Sequence, residues 1–257
     1  MSRRGGRLAQ AIGGEHGVAG AGGGTGAVAG AVVAADAVFG GGHGEPYRRL
    51  LAGTTTGALD LRSVDGTTDA FRFDAGSWVA AATEADLTAL DGASGPVLDV
   101  GCGPGRMVRA AAARRLPVLG IDITPHAVER TRVDGSYALV RSVFERLPLE
   151  GRWQTVLLMD GNVGIGGDPE ALLRRCAALL AGDGCLVVEV DPDPDLDVAT
   201  LYTVRDDEGN ESHPFPWARI GLHAFARHAL AVGLVVTGGW SVEGRQFVRA
   251  SAPGSAG

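Results

Sequence analysis

From Pro96 onward, short apolar runs alternate with segments whose apolar residues recur every three or four positions. The runs predict buried strands, and the longer spacing predicts helices that pack one face on a sheet. The predicted strands are residues 97–100, 118–121, 137–141, 155–159, 185–190, 234–240 and 246–250. The predicted helices are residues 106–115, 125–132, 169–181 and 221–232, and Gly182 is expected to end the third. This alternation predicts an α/β fold with a mostly parallel, doubly wound sheet.

The last two predicted strands are joined by a very short connection, Val242 to Arg245. A connection of this length permits an antiparallel hairpin but no parallel crossover. We therefore expect a seven-stranded sheet with an antiparallel C-terminal hairpin strand. A plain dinucleotide-binding fold has six parallel strands and lacks such a hairpin.

The chain before Pro96 divides into two parts. Residues 1–45 are rich in glycine and show no periodicity, which predicts a disordered tail because they bury too little apolar surface to offset ordering. Residues 46–95 form a predicted N-terminal cap with one helix over Ser77–Leu90. Such a helix can close the substrate end of a site or simply pack on the sheet. The main domain is predicted to span residues 96–251.

The sequence from Val97 to Gly105, VLDVGCGPG, connects the first buried strand to a helix through a glycine-rich turn. Gly101, Gly103 and Gly105 stand at alternate positions, where side chains would keep a ligand away from the backbone. The following helix adds free amides and the positive end of its dipole. We expect a nucleotide-type ligand to bind at this turn.

The spacing of the turn narrows the choice of ligand. A dinucleotide turn needs its third glycine three residues after the second, and Arg106 fills that position here. A phosphate-binding loop needs a lysine, and this chain contains none. Asp99 instead places a carboxylate beside the turn. Asp122 ends the next predicted strand, 23 residues later, where an acid can accept hydrogen bonds from a ribose diol.

The Asp-x-Gly-x-Gly-x-Gly pattern of residues 99–105, followed by Asp122, resembles the motifs of class I S-adenosylmethionine-dependent methyltransferases. The resemblance covers about residues 96–250. It implies the Rossmann-like methyltransferase fold, S-adenosyl-L-methionine as cofactor, and methyl transfer to an oxygen, nitrogen or carbon nucleophile. It also implies that Asp99 lies near the methionine end of the cofactor. The expected cofactor-binding residues are Asp99, Gly101, Cys102, Gly103, Gly105, Asp122, Ile123, Val143, Phe144 and Asp160.

The loop after the third strand, residues 142–148, matches this family only in part. The family often carries there an acid that accepts from the adenine amino group, whereas Ser142 or Val143 holds that position here. We expect adenine to lie on backbone groups and on Phe144 instead, with Glu145 close by.

Three residues are candidates for catalysis. Asp160 and Asn162 follow the fourth strand, and the resemblance implies that their loop flanks the transferred methyl group. Asp160 can orient the acceptor or take its proton, although both residues can equally serve local backbone hydrogen bonds. His213 lies in a proline-stiffened segment that ends at Trp217 and is a candidate base near neutral pH. The aromatic residues of that segment can line a pocket or merely fill the core.

Composition limits the partners and the location. The net charge of −7 disfavours a nucleic-acid partner, so we expect a small-molecule acceptor. No membrane-spanning segment is recognisable, and an export signal is not expected. The three cysteines are odd in number and lie in apolar settings, which indicates a reducing, cytoplasmic location. The oligomeric state stays open.

The acidic run from Asp191 to Asp197 carries four carboxylates at alternate positions, a pattern that can bind hard cations. The intervening prolines extend the run and separate the carboxylates. A solvated acidic loop is therefore the preferred interpretation, and no metal site is predicted.

Three other functions stay open at this point. The protein can be an S-adenosylmethionine-binding module without methyltransferase activity. It can be a nicotinamide-dependent oxidoreductase, although both the glycine spacing and the terminal hairpin oppose this alternative. It can also use the same fold for chemistry other than methyl transfer.

Overall fold

The computed structural model describes residues 38–42, 45–54, 57–133 and 135–254, so most of the predicted N-terminal tail lies outside the described residues. The strands are β1 (Ala58–Ser63), β2 (Phe71–Asp74), β3 (Val97–Val100), β4 (Val118–Asp122), β5 (Ala138–Val140), β6 (Trp153–Leu158), β7 (Leu180–Val190), β8 (Asp197–Asp206), β9 (Phe215–Ile220), β10 (Val235–Val242) and β11 (Arg245–Ser251). The α-helices are α1 (Pro46–Leu51), α2 (Ala75–Val79), α3 (Glu84–Thr88), α4 (Arg106–Ala113), α5 (Pro125–Val133), α6 (Pro169–Leu179) and α7 (Leu222–Ala231).

The large sheet has seven strands in the order β10-β11-β7-β6-β3-β4-β5. The pairs β3–β4, β3–β6, β4–β5 and β6–β7 are parallel, whereas β11 pairs antiparallel with both β7 and β10. The chain runs from β3 through β4 to one edge and then returns across β3 to β6, which creates a switch point between β3 and β6. The predicted α/β fold, with its antiparallel C-terminal hairpin, is confirmed.

Both faces of the large sheet are covered, as the continuous apolar runs predict. Leu98 and Val156 face a core layer that also contains side chains of α6 and α7. Val97 and Leu157 face the opposite layer, which contains side chains of α3 and α4. Because neighbouring residues of a strand point to opposite faces, each central strand contributes to both layers.

A second, smaller sheet is a feature that the sequence analysis missed. Its strands have the order β2-β1-β8-β9 and are all antiparallel. It joins residues 58–74, from the predicted cap, to residues 197–220, from the main domain. The segment around Trp217, predicted as a loop, is therefore β9. We call this element the small sheet.

Two predicted helix boundaries are wrong. The helix expected over Ser77–Leu90 is two short helices, α2 and α3, because each has an N-cap of its own. Asp74 accepts from the Gly76 amide and starts α2, while Thr83 and Asp86 form a capping box that starts α3. The predicted end of α6 at Gly182 is also wrong, since the helix ends at Leu179 and the chain continues directly into β7.

None of the helices in the described part of the chain has the length and apolar character that crossing a bilayer demands.

Candidate functional site

A cavity of about 400 Å³ lies at the carboxyl ends of β3, β4, β5 and β6. Residues of the small sheet and of the segment 38–47 form its opposite wall. Ligands in open α/β sheets bind beyond the carboxyl ends of the strands at a switch point, which is where this cavity lies. Its volume falls within the usual range for small-molecule sites. We call it the central cavity.

The glycine turn after β3 forms the floor of the central cavity. Gly101, Gly103 and Gly105 all have positive φ, of +69°, +52° and +87° respectively. A Cβ on Gly101 would meet the Asn162 amide at 2.6 Å, and one on Gly105 would meet the Thr131 side chain at 2.6 Å. A Cβ on Gly103 would meet only the Tyr47 hydroxyl, at 3.2 Å. Packing within the protein thus requires two of these glycines, and Gly103 leaves the cavity side of the turn open.

Asp122 ties the end of β4 to this turn. One carboxylate oxygen accepts from the Gly103 amide at 3.0 Å, and the other accepts from the Thr124 amide at 2.8 Å. Burial raises the pKa of Asp122, and the hydrogen bonds from these two amides oppose that rise. Each carboxylate oxygen can accept a second hydrogen bond. The residue lines the central cavity, so it can also accept from the hydroxyls of a bound ribose.

Asp99 is one of the residues around the central cavity, and one of its carboxylate oxygens is unpaired. Its side chain is buried, and its Oδ2 atom has no hydrogen-bond partner. Burial, with a further contribution from the charge of Asp160, raises the pKa of Asp99 to about 7. Because an unfolded aspartate titrates near 3.8, ionising Asp99 lowers the stability of the folded protein as the pH rises between these values. A bound ammonium group would supply the missing partner.

Tyr47 is a cavity residue to which the sequence analysis gave no role. It lies on α1, and its hydroxyl reaches over Gly103. Burial, reinforced by the negative charge of Asp122, raises the pKa of Tyr47 well above its ordinary value. The hydroxyl therefore stays protonated at neutral pH and can donate a hydrogen bond to an anionic ligand group.

The side chain of Cys102 supports the turn from below. Burial raises the pKa of its thiol well above the ordinary value, so the sulfur is not a reactive thiolate. A Cβ on Gly120 of β4 would meet the Cys102 Sγ at 2.7 Å, which shows how closely the turn packs on the neighbouring strand.

Apolar residues line the side of the central cavity next to β4 and β5. Ile123 is partly exposed, Val143 is buried and Phe144 is half exposed. All three contribute to the cavity wall. Glu145, expected to be close by, accepts from the Ser142 amide at 2.8 Å and so bonds to its own loop.

The comparisons with known proteins agree with this geometry. A family model described as a methyltransferase domain matches residues 77–232, more than half of the chain. This chain belongs to that methyltransferase family. The predicted resemblance is thereby confirmed.

Individual relatives are more distant. The ubiquinone biosynthesis O-methyltransferase of Bordetella avium (strain 197N) is 32% identical over 95 residues, which cover 34% of this chain and 39% of that protein. A solved S-adenosylmethionine-dependent methyltransferase from Bacteroides fragilis, in complex with S-adenosyl-L-homocysteine, has a TM-score of 0.64 and 21% identity, covering 81% of this chain and 93% of the other. The CcbJ methyltransferase of Streptomyces caelestis has a TM-score of 0.51 and 14% identity, covering 65% and 93%. The two structural likenesses concern the fold.

An ion-pair network surrounds Asp160. Both oxygens of Asp160 accept from Nη2 of Arg106, at 2.6 and 2.8 Å. Arg106 also pairs with Asp86 at 3.2 Å, and Arg245 joins Asp86 at 2.7 Å to Glu189 at 2.6 Å. Asp160 lines the central cavity as expected, but its carboxylate is committed to a guanidinium. Burial raises the pKa of Asp160, and the charge of Arg106 only partly opposes that rise. Both carboxylate oxygens are nevertheless occupied by the guanidinium, which leaves them poorly placed to receive a substrate proton.

Asn162 acts on the backbone of the glycine turn. Its amide nitrogen donates to the carbonyls of Val100 and Gly101, at 2.9 and 3.0 Å. The residue lines the central cavity, but these bonds give it a positioning role for the turn. The alternative expected from the sequence was bonds within its own loop, whereas these bonds reach the turn after β3.

His213 does not line the central cavity. Its backbone amide donates to the carbonyl of Gly41 at 2.9 Å, and its ring lies against Gly42. The structure therefore places this candidate base beside the segment 38–42, where it anchors that segment to the start of β9.

The acidic run after β7 bonds to its surroundings. Asp191 accepts from Arg219 at 2.7 Å, and Asp197 accepts from Arg227 at 3.1 Å. Asp193 accepts from the amide of Asp195 in the same loop, at 3.1 Å. Within the described residues, no group of three or more His, Cys, Asp or Glu side chains is arranged to hold a metal ion.

The network around Arg106 and Arg245 predicts a large effect of Asp86 on stability. The Asp86 side chain is fully buried, and the two guanidiniums and the Thr83 backbone hold its pKa below the ordinary value against the effect of burial. We expect Asp86→Ala to lower the free energy of unfolding by about 3–5 kcal/mol, because it leaves two guanidiniums short of a counter-charge. Urea denaturation followed by circular dichroism measures the change.

Asp91→Ala is the matched control, because Asp91 pairs with Arg114 at 3.1 Å while its side chain is 68% exposed. Its loss should change the unfolding free energy little. Equal losses in both variants would contradict a special role of the network.

Proposed function

We propose that this methyltransferase transfers the methyl group of S-adenosyl-L-methionine to a small-molecule acceptor. The observation that carries the proposal is the unpaired, buried carboxylate of Asp99 beside the open face of Gly103 in one cavity. The methionine end of the cofactor carries the ammonium group that this carboxylate lacks. Asp122, at the end of the adjacent strand, is placed to accept from the ribose hydroxyls.

The remaining cavity residues fit the other parts of the cofactor. The Tyr47 hydroxyl is a donor that fits the carboxylate of the methionine moiety, and Ile123, Val143 and Phe144 offer an apolar wall for adenine. When bound, the sulfonium supplies an activated methyl group. The protein then orients the acceptor in line with that group. Phe73, Phe215 and Trp217 of the small sheet line the cavity and would exclude water from it.

No proton acceptor for the reaction is assigned. Asp160 is held by Arg106, and His213 lies outside the cavity wall. The proposal is therefore that Asp160 helps to shape the site through its ion pair, while Asn162 holds the turn. Acceptors that lose their proton to solvent, or carry none on the attacking atom, suit such a site.

A small acceptor is supported by the volume of the cavity, about 400 Å³, and by the negative net charge, which opposes nucleic-acid binding. The curated relative is named for O-methylation in ubiquinone biosynthesis, which is consistent with a small organic acceptor. A cytoplasmic location is part of the proposal and agrees with the free cysteines Cys102, Cys176 and Cys185. The oligomeric state is left open.

Two measurements test the proposal as a whole. Calorimetric titrations with S-adenosylhomocysteine and with NAD compare the two cofactor classes, and we expect only the first to bind. Formation of S-adenosylhomocysteine from S-adenosylmethionine with a panel of acceptors then separates an enzyme from a binding module. Tight binding of NAD alone would overturn the proposal.

Gly103 predicts a specific loss of cofactor binding. The variant Gly103→Ala places a methyl group on the cavity side of the turn, and we expect its affinity for S-adenosylhomocysteine to fall about ten-fold or more, since the ligand must approach the backbone there. Calorimetry on the purified variant measures the affinity.

The matched control is Gly151→Ala, since Gly151 also has a positive φ, of +72°, and nothing lies within 4 Å of its added Cβ. Both variants carry the backbone cost of alanine in this conformation, about 1 kcal/mol. Only the change at Gly103 should weaken the cofactor. Similar affinities in the two variants would show that the turn is not the binding surface.

The raised pKa of Asp99 predicts proton release on binding. Below its pKa of about 7 the carboxyl group is mostly protonated, and an ammonium partner stabilises the ionised form. We therefore expect the affinity for S-adenosylhomocysteine to rise roughly ten-fold per pH unit up to about pH 7 and to level off above it, where the carboxyl group is already ionised. Titrations near pH 6 in buffers of different ionisation enthalpy should show release of nearly one proton.

Asp99→Asn removes the titrating group and keeps the shape of the side chain. Its affinity should be weaker than that of the wild type near neutral pH and independent of pH below 7. Proton release of the same size in this variant would assign the titration to another group.

A further inference from the structure

Six aromatic side chains converge at one end of the central cavity, and we call them the aromatic chamber. They come from three separate stretches of the chain: the N-terminal segment, the β2–α2 hinge and β9. The members are Phe39, Tyr47, Phe73, Trp78, Phe215 and Trp217, and all of them line the cavity.

Phe39 lies at the centre of the aromatic chamber. Its ring centroid is 5.4 Å from that of Trp217, 5.5 Å from that of Phe215 and 5.5 Å from that of Tyr47. The rings of Phe73 and Trp78 follow at 6.1 and 6.3 Å. Most of these pairs meet edge to face, an arrangement in which aromatic rings attract each other beyond simple burial. The chamber thus already holds one planar ring.

The chamber borders the methionine end of the proposed cofactor site. The Tyr47 hydroxyl lies over Gly103. Arg106, whose charge acts on the pKa of Asp99, donates a hydrogen bond of 3.4 Å to the carbonyl of Ser77, the residue before Trp78. On another side, Ile165 pairs with Trp217 as an isolated β-bridge, which joins the chamber to the loop after β6. An acceptor in the chamber would therefore lie beside the methionine end of the bound cofactor.

The chamber favours an uncharged ligand. The carboxylates around it are committed, since Asp160 pairs with Arg106 and Asp122 accepts from two backbone amides. Asp99 is reserved for the ammonium of the cofactor. A cationic acceptor would find no free carboxylate among these three groups.

We propose that the acceptor is a planar, uncharged aromatic compound bound in the aromatic chamber, and that Phe39 is the residue that limits its size. This inference rests on the proposed function. It adds the substrate class and a specificity-determining residue outside the cofactor motifs.

The position of Phe39 depends on the backbone around it. The Gly41 carbonyl accepts from the His213 amide at 2.9 Å, and the Gly41 amide donates to Val38 at 2.9 Å. Gly42, with a φ of +97°, lies against the His213 ring. These bonds do not involve the Phe39 side chain, so a substitution there changes the volume of the chamber and leaves its anchor in place.

The first experiment determines the ligand class with the full chain saturated with S-adenosylhomocysteine. Phenol, cyclohexanol and tetramethylammonium are titrated by ligand-observed NMR. We expect phenol to bind about ten-fold more tightly than cyclohexanol, because a planar ring gains several aromatic contacts that a saturated ring lacks. Equal or tighter binding of cyclohexanol or tetramethylammonium would overturn the aromatic class.

The second experiment tests Phe39 with 2-naphthol, a two-ring probe. In Phe39→Ala we expect 2-naphthol to bind about ten-fold more tightly than in the wild type, since the variant opens the space of one buried ring. The affinity for S-adenosylhomocysteine should stay unchanged.

The matched control is Phe225→Ala, because Phe225 is fully buried in the core of the large sheet, away from the chamber. Phe225→Ala creates a cavity of the same size. If this variant also gains affinity for 2-naphthol, any buried cavity can bind the probe, and the size-limiting role of Phe39 is overturned. Where an alanine variant fails to fold, the leucine variants of both residues provide the same comparison.

The outcomes separate the two levels of inference. If S-adenosylhomocysteine does not bind to the wild type, the proposed function itself fails. If it binds and 2-naphthol has the same affinity for the wild type and Phe39→Ala, the size-limiting role of Phe39 fails alone.

Discussion

The bend after β3 keeps its open shape because side chains from three other elements satisfy its backbone groups. Asp122 accepts from the Gly103 amide, Thr131 donates to the Gly103 carbonyl at 3.0 Å, and Asn162 donates to the carbonyls of Val100 and Gly101. Leaving one of these buried backbone groups without a partner would lower the stability by about 1–3 kcal/mol. The bonds therefore hold the bend in this conformation. The cavity, the orientation of Asp99 and the placement of Tyr47 all depend on this fixed bend.

Around the central cavity, most of the buried carboxylates are paired, and Asp99 is an exception. Arg106 and Arg245 neutralise Asp86, Asp160 and Glu189 within a network that connects α3, α4, β7 and β11. Asp99, close to the same network, keeps one oxygen without a partner. Since burial makes an unpaired carboxylate costly, such an exception beside a cavity is typical of a binding site.

The sequence allowed the large sheet to be predicted and the residues expected to bind the cofactor to be located near one another, because the patterns that identify them are local. Asp99, beside the glycine bend, and Asp122, at the end of the next strand, are only 23 residues apart. The alternation of helices and strands in turn predicts the parallel arrangement of the sheet. The small sheet could not be predicted in the same way. Leu59 pairs with Asp206, and no local pattern in either strand identifies a partner so far along the chain.

The catalytic candidates show a related limit. The loop sequence alone makes Asp160 a candidate for proton transfer. The hydrogen bonds of its carboxylate, however, depend on Arg106, which lies on α4. The one available signal was the arginine that replaces the third glycine of a dinucleotide turn. Phe39 carried still less signal, because it stands among glycines and its significance comes from five rings that approach it only in the folded protein.

The separation of the two sheets has a consequence for how such a protein can diversify. The residues proposed to bind the nucleoside follow strands of the large sheet, whereas Phe73, Phe215 and Trp217 belong to the small one. Mutations in β2 or β9 can therefore reshape one wall while the bend and its bonded partners remain intact. A protein with this arrangement can acquire a different substrate through changes in the small sheet, while the proposed cofactor-binding residues of the large sheet stay the same.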